Sequence, residues 1–176
     1  MLAMLKLIML INIIIGLIEK KYINFELESE NKAKVILKQL YTDKLTTLSN
    51  RSALFRDLEI YADAHVAILN IQAFKRINDA FGFGSGNLIL QQLTGHIGKI
   101  NDGKDFHAYR VGSDEFVIVN YKQMSEEEFE RHIKLIVEII EKENFYFNEN
   151  KESEVSINLY AGVSFAPENK LETASV

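Results

Sequence analysis

Three clusters of residues in this chain have types and spacings that could do chemistry. The segment Arg110-Val111-Gly112-Ser113-Asp114-Glu115-Phe116 sets two carboxylates side by side just after a Gly-Ser pair. In extended backbone, neighbouring side chains point to opposite sides, so one carboxylate could hold a divalent cation while the other faces a reacting hydroxyl. The small Gly112 and Ser113 would leave room for a phosphate to approach main-chain N–H groups. Taken alone, a Gly-Ser-Asp run is also ordinary turn punctuation. The second cluster, 70–79, reads Asn-Ile-Gln-Ala-Phe-Lys-Arg-Ile-Asn-Asp. It falls where a strand is expected to end and a helix to begin, a place where helix N–H groups favour anions. Lys75 and Arg76 add positive charge there, and Asn78 offers a donor and an acceptor to a base edge. A solvated Lys-Arg pair on a helix surface is the plain alternative. The third cluster, Gly82-Phe83-Gly84-Ser85-Gly86-Asn87, is glycine-rich like a nucleotide cradle but lacks the lysine and the spacing of a P-loop.

Positioning these clusters requires a recognisable set of elements. Residues 52–61 read as a short helix, and 65–70 (HVAILN) as a buried strand, apolar almost throughout. Residues 74–81 predict a helix that the glycines at 82, 84 and 86 break, with Asn87 capping a second helix over 88–99. Strands at 106–111 and 115–121 form a hairpin around the carboxylate pair. Ser125-Glu126-Glu127-Glu128 is a capping box opening a helix with apolar Phe129, Ile133, Ile136, Val137 and Ile140, and 155–165 read as a last strand. This order describes an α+β domain with a mostly antiparallel sheet covered by helices.

Composition narrows the function. The chain of 176 residues has no Cys, which excludes a disulfide framework, a thiolate zinc site and a cysteine nucleophile. Its formal charge of -5 argues against a nucleic-acid partner, which would need a basic face to replace condensed counterions. Fifteen of the first 18 residues are apolar, interrupted by Lys6, Asn12 and Gly16. That length is short but sufficient for a membrane anchor over 1–20 if Lys6 snorkels to the interface. Lys20 and Lys21 behind it place the rest of the chain in the cytoplasm, giving an expected location at the inner membrane. A buried or dimerising helix is the alternative. Residues 21–42 read as a helical linker.

Together, DKLTTLSNR at 43–51, FKRIND at 74–79, GFGSGN at 82–87 and RVGSDEF at 110–116 resemble the GGDEF domain family, the diguanylate cyclases. The resemblance spans about 43–167 and implies a fold like the palm of nucleotidyl cyclases. It also implies Mg²⁺ or Mn²⁺ as cofactor, GTP as ligand, and a second GGDEF domain as partner in a homodimer. In the family's reaction, the ribose 3′-hydroxyl of each GTP attacks the α-phosphate of the other, giving cyclic di-GMP. Carried over by motif, Asp114 would be a metal ligand and Glu115 the carboxylate beside the attacking hydroxyl, a general base. Asn70 and the Ile71 carbonyl would complete the metal site. Lys75 would meet the triphosphate, Gly112 and Ser113 would flank the phosphates, and Asn78 and Asn87 would meet guanine.

The departures from the family pattern shape the functional expectation. Asn70 and Asn87 each stand where the family has Asp, Gln72 where it has another Asp, Phe83 where it has His, and Ser113 where it has Gly. Mg²⁺ favours anionic oxygens, so Asn70 should weaken metal binding. The NH₂ of Asn87 would confront a guanine donor where a carboxylate accepts two, at a cost of about 1–3 kcal/mol. The family's product-inhibition pattern, R-x-x-D, would fall on 103–106 and is missing. The end of the chain at Val176 leads to the expectation of a domain cut before its last helix, and the family often joins such a domain to an EAL phosphodiesterase domain, fused or as a partner. The reading is therefore a degenerate GGDEF domain over 43–176, acting as a regulatory or GTP-sensing module. A weakly active diguanylate cyclase is the alternative, and a structural dimerisation domain the second alternative.

Overall fold

A computed structural model of the chain describes residues 1–61, 64–101, 106–122, 124–148, 150 and 153–165; the side chains at 3, 5, 8, 100 and 101 fall outside that description. It divides into two compact units, Met1–Leu40 and Tyr41–Val176. The first unit consists of helix α1, Leu2–Tyr41, up to Leu40, and the helix runs without interruption through both the expected anchor and the expected linker. Its described side chains as far as Leu40 are all exposed, including Leu7, Leu10, Ile13, Leu17, Ile23 and Ile36. Among the described residues no helix is long and apolar enough to cross a membrane.

The second unit is built on a five-stranded sheet. Its strands are β1 (Ser49–Asn50), β2 (His65–Ile71), β3 (Phe106–Arg110), β4 (Glu115–Asn120) and β7 (Leu159–Ser164), in the order β1-β3-β4-β2-β7. Only β1 and β3 run parallel; the other neighbours are antiparallel. Two short strands, β5 (Phe145–Tyr146) and β6 (Glu154–Val155), pair separately. The α+β architecture and the mostly antiparallel sheet are as the sequence predicts.

Alternation along the strands sorts the core into two faces. Leu69, Ile71, Phe116 and Ile118 point one way, into the main core with helix α3 (Phe74–Asn101) and helix α4 (Glu126–Glu141). Val66, Val117 and Val119 point the other way, against Ala53 and Leu54 of helix α2 (Arg51–Ile60). Asn50 caps α2 by accepting from the Ala53 N–H at 3.1 Å. The expected box at Ser125 and Glu128 caps α4, whose buried stripe is Phe129, Ile133, Ile136 and Ile140. On the α2 face, the Tyr109 hydroxyl donates to Asp57 Oδ2 at 2.8 Å and lies 2.6 Å from the Tyr121 hydroxyl. Burial, together with these hydrogen bonds, pushes the Tyr109 phenol far above its ordinary range.

Two expectations are corrected. The glycine run does break the helix, but at Gly82 alone, and Asn87 does not cap the helix that follows. Only Gly82 leaves helical geometry, at φ +82° and ψ 160°, and the chain is helical again from 83 onward, so Asn87 lies inside α3. A left-handed φ is easy only for glycine, and a single such residue suffices for a kink. The stretch 155–165 is not one strand either: Val155 closes β6, residues 156–158 are irregular, and β7 starts at Leu159. Residues 103–105, where the product-inhibition pattern would begin, and 166–176 lie outside the described residues.

Candidate functional site

The hairpin of β3 and β4 presents its carboxylates through an open four-residue tip. Val111 N–H and Gly112 N–H both donate to the Glu115 carbonyl, at 3.0 and 3.4 Å, which folds the tip back on the start of β4. The Glu115 side chain then lies over Gly112: a Cβ added there would come within 2.5 Å of Glu115 Oε2 and 3.2 Å of its Cβ. Glycine at 112 is therefore what lets this carboxylate sit where it does. Ser113 Oγ donates to Asp114 Oδ1 at 2.6 Å, so the hydroxyl that replaces a glycine hydrogen is bonded to the expected metal ligand.

The base of the hairpin is tied down across the domain. Arg110 Nη1 donates to Asp43 Oδ1 at 3.0 Å and Arg110 Nη2 to the Ser113 carbonyl at 2.6 Å. Asp43 also accepts from Thr46 N–H at 2.8 Å and Thr46 Oγ1 at 2.6 Å. Partial burial works to raise the Asp43 pKa, but the Thr46 hydrogen bonds and the Arg110 guanidinium outweigh it and hold the carboxyl below its ordinary value. The opening DKLT and the signature hairpin are thus one polar assembly.

Strand register brings the second cluster to the first. Asn70 is directly opposite Glu115 on β4 and directly opposite Tyr160 on β7. Directly opposed residues of an antiparallel pair share a face. Glu115, Asn70 and Tyr160 therefore form one row across three strands. Ile71 N–H donates to the Asp114 carbonyl at 3.3 Å, which joins the strand end to the hairpin tip. Asn70, Ile71, Gly112, Ser113, Asp114 and Glu115 are thus gathered at one end of the sheet. After Gln72, the chain turns sharply through Ala73, whose φ of +55° is left-handed, and Arg76 N–H closes the turn on the Ala73 carbonyl at 2.9 Å. That conformation costs a non-glycine residue about 1–2 kcal/mol. It starts α3 immediately, with Lys75 and Arg76 exposed on its first turn. An open cleft of about 570 Å³ runs between Arg76 and Ile77 and the segment 155–158.

The expected base-contacting pair forms a second group. Gly86 is buried, and a Cβ there would run into Asn78 Oδ1 and lie 3.0 Å from its Cγ and 3.1 Å from Phe74 Cζ. Asn78 thus packs on the bare Cα of Gly86, one residue before Asn87. Among the described residues its buried Oδ1 has no hydrogen-bond partner, and burial of such a polar atom is costly unless a donor arrives. Asn87 is exposed, and Phe83 is strongly exposed at 78%. Replacing Gly86 by Ala is expected to push Asn78 and Phe74 aside and cost about 1–3 kcal/mol. Urea unfolding measures that loss, and an unchanged midpoint would show that the close approach is relieved without strain.

Tyr160 is the residue of this region that sequence reasoning missed. No motif falls on β7, and its nearest signal, an aromatic residue in an expected strand, is what any strand shows.

A family model described as "Diguanylate cyclase, GGDEF domain" matches residues 40–176. The chain belongs to the GGDEF domain family. It is 33% identical over 111 residues to the diguanylate cyclase DgcP of Escherichia coli, covering 58% of this chain and 32% of that protein. It is 41% identical over 86 residues to the DgcP of Pseudomonas aeruginosa, covering 44% and 13%. The chain therefore spans about a third or less of these curated relatives. Among solved structures, the coiled coil and GGDEF domain of DgcB from Caulobacter crescentus, in complex with c-di-GMP, superposes with a TM-score of 0.76 at 19% identity, covering 90% of each chain. The FimX GGDEF domain from Pseudomonas aeruginosa gives 0.68 at 17% identity, covering 77% of this chain and 89% of that one. These likenesses show the GGDEF fold.

The donor set of this GGDEF domain bears on the cofactor the family implies. Among the described residues no group of three or more His, Asp or Glu could hold a metal ion. What the site offers is oxygen of mixed charge: the Asp114 carboxylate, the Asn70 amide and the Ile71 main chain. Mg²⁺ is commonly held by one or two carboxylates, several waters and substrate phosphates. The residues present fit a cation shared with a triphosphate, and do not fit a self-sufficient metal centre.

Proposed function

We propose that this GGDEF domain is a GTP-binding regulatory module of cyclic di-GMP signalling. One observation carries the reading: on the row Glu115–Asn70–Tyr160, the position between the retained carboxylate and the next strand is a neutral amide. The Asp114 carboxylate that remains is already engaged by Ser113. Both features reduce the negative charge available to a cation while leaving room and donors for a nucleotide. The triphosphate would lie toward Lys75 and the start of α3, and the base toward Asn78 and Asn87. Mg²⁺ or Mn²⁺ entering with the nucleotide would be held by Asp114 with the oxygens of Asn70 and Ile71, and would supply charge neutralisation at the phosphates.

A second reading, a slow diguanylate cyclase, is favoured by the intact Asp114, Glu115, Lys75 and Asn78. In that case two GTP-loaded domains meet face to face. Glu115 takes the proton of the 3′-hydroxyl as its oxygen bonds to the α-phosphorus of the other GTP, and pyrophosphate leaves with the electrons of the broken P–O bond. A dimerisation scaffold is the third reading.

Partners follow from the same reading. A second copy is the expected neighbour of α1, on which Leu7, Leu10, Ile13 and Leu17 are exposed. A solved structure of Vibrio cholerae LapD comprises an S helix, a GGDEF domain and an EAL domain, which supports an EAL domain, fused or separate, as a partner here. The apolar run over 1–18 supports attachment of α1 to the inner membrane with the GGDEF domain on the cytoplasmic side.

The test is to incubate the protein with GTP and Mg²⁺ or Mn²⁺, separate the products by chromatography, and titrate GTP by calorimetry. The regulatory reading expects GTP binding without sustained formation of cyclic di-GMP. Sustained turnover that disappears in Glu115→Gln establishes the cyclase instead. Binding no tighter than millimolar, with no product, leaves the scaffold.

A further inference from the structure

Tyr160 lies on β7, the edge strand of the sheet beside β2. It stands inside β7, opposite Asn70, and the residue is 61% exposed. Directly opposed residues keep their Cβ atoms about 4.5–5.5 Å apart, so the ring rises from the sheet beside the Asn70 amide. Its hydroxyl is not loose: Gln72 Nε2 donates to Tyr160 Oη at 2.6 Å. Gln72 follows Asn70 by two residues and so shares its face, and it leads straight into the turn at Ala73 and the cationic start of α3.

The direction of that hydrogen bond has a chemical consequence. Gln72 uses an acceptor site of the phenol oxygen, which leaves the phenol hydrogen free to donate. The row therefore presents a carboxylate at one end, a neutral amide in the middle and an oriented neutral donor at the other end. A donor held in place, next to a position stripped of its negative charge and on the path to Lys75 and Arg76, matches an anionic oxygen.

We infer that Tyr160 is a ligand-contacting residue of this site, donating its hydroxyl hydrogen to a phosphate oxygen of the bound nucleoside triphosphate, with Gln72 as the residue that orients it. The inference rests on the reading of the site as a GTP site.

GTP and guanosine are titrated in Mg²⁺ into the wild-type chain, Tyr160→Phe, Gln72→Leu and the double variant, each checked for an unchanged melting temperature. Tyr160→Phe keeps the ring and removes only the hydroxyl. It is expected to weaken GTP about tenfold, the usual worth of a hydrogen bond to a charged group, while leaving guanosine unaffected. Gln72→Leu is expected to weaken GTP less, and to have no further effect once Tyr160 is Phe. Equal GTP affinity in wild type and Tyr160→Phe overturns the inference and leaves the GTP reading standing. Equal losses for GTP and guanosine also overturn it, by placing the ring against the nucleoside. A wild-type chain that binds no GTP overturns the GTP reading and this inference together.

Discussion

Replacing Arg110 by Ala is expected to destabilise the domain by about 2–4 kcal/mol and to free the hairpin tip. The guanidinium is only 11% exposed and the Asp43 carboxylate 23%, so the pair sits between a surface ion pair and a buried one. Surface pairs are worth about 0–1 kcal/mol, whereas removing one partner of a buried pair costs about 3–5 kcal/mol because the other charge is stranded. The intermediate figure follows from the intermediate burial. The second loss is local: the bond from Arg110 Nη2 to the Ser113 carbonyl is one of the ties on the tip, beside the bond from Ile71 N–H to the Asp114 carbonyl. Guanidinium unfolding of Arg110→Ala reads the first effect, and proteolysis at 111–114 reads the second. A variant within about 0.5 kcal/mol of wild type, the usual scatter of surface substitutions, would show that Thr46 alone satisfies Asp43.

The same pair sets an acid limit. Asp43 has a folded pKa below its ordinary value of 3.8, so the unfolded chain binds its proton more readily. Its contribution is fully present above the unfolded pKa and is lost as pH falls through the folded one. Wild type should therefore lose stability more steeply than Asp43→Asn below about pH 4, with parallel curves above about pH 6. Identical slopes would mean that the ion pair is equally made in the unfolded chain.

Much of this is legible in the sequence because local chemistry decides it. The capping box at Ser125 needs only the residues at 125 and 128, and β2 is written in its unbroken apolar run. The expected metal-side residues do converge, because strand register follows from which faces must be buried. What escaped depends on contacts distant in sequence. The tie between Asp43 and Arg110 spans 67 residues, and each residue belongs to a motif that reads as complete without the other. The glycines at 82 and 86 look alike, but they have different reasons. Gly82 supplies a left-handed φ, whereas Gly86 supplies the space that Asn78 fills. Counting glycines predicts a break, and only the backbone geometry shows that one residue makes it. Likewise β5 and β6 have two residues each, too few for alternation to register.

Restoring both carboxylates, with Asn70→Asp and Asn87→Asp together, is expected to raise GTP affinity in Mg²⁺ by about tenfold to a hundredfold. The gain has two sources. At 87, a carboxylate accepts from two guanine donors where the amide sets NH₂ against one of them, a mismatch worth about 1–3 kcal/mol. Position 87 is exposed, so the exchange needs no repacking of α3. At 70, the new charge lands directly opposite Glu115. Like charges facing each other across a strand pair are destabilising, by a few tenths to about 1 kcal/mol. The nucleotide-free variant should therefore melt slightly below wild type and recover when Mg²⁺ and GTP are added together, because a cation that enters with the nucleotide and is held by Asp114 and the carboxylate at 70 would offset the repulsion from Glu115. A larger Mg²⁺-dependent rise in melting temperature for the variant than for wild type is the diagnostic result. If the double variant gains no affinity and its melting is indifferent to Mg²⁺, then Asn70 and Asn87 do not stand at the metal and base positions, and the assignment of the site by motif fails at its two most distinctive residues.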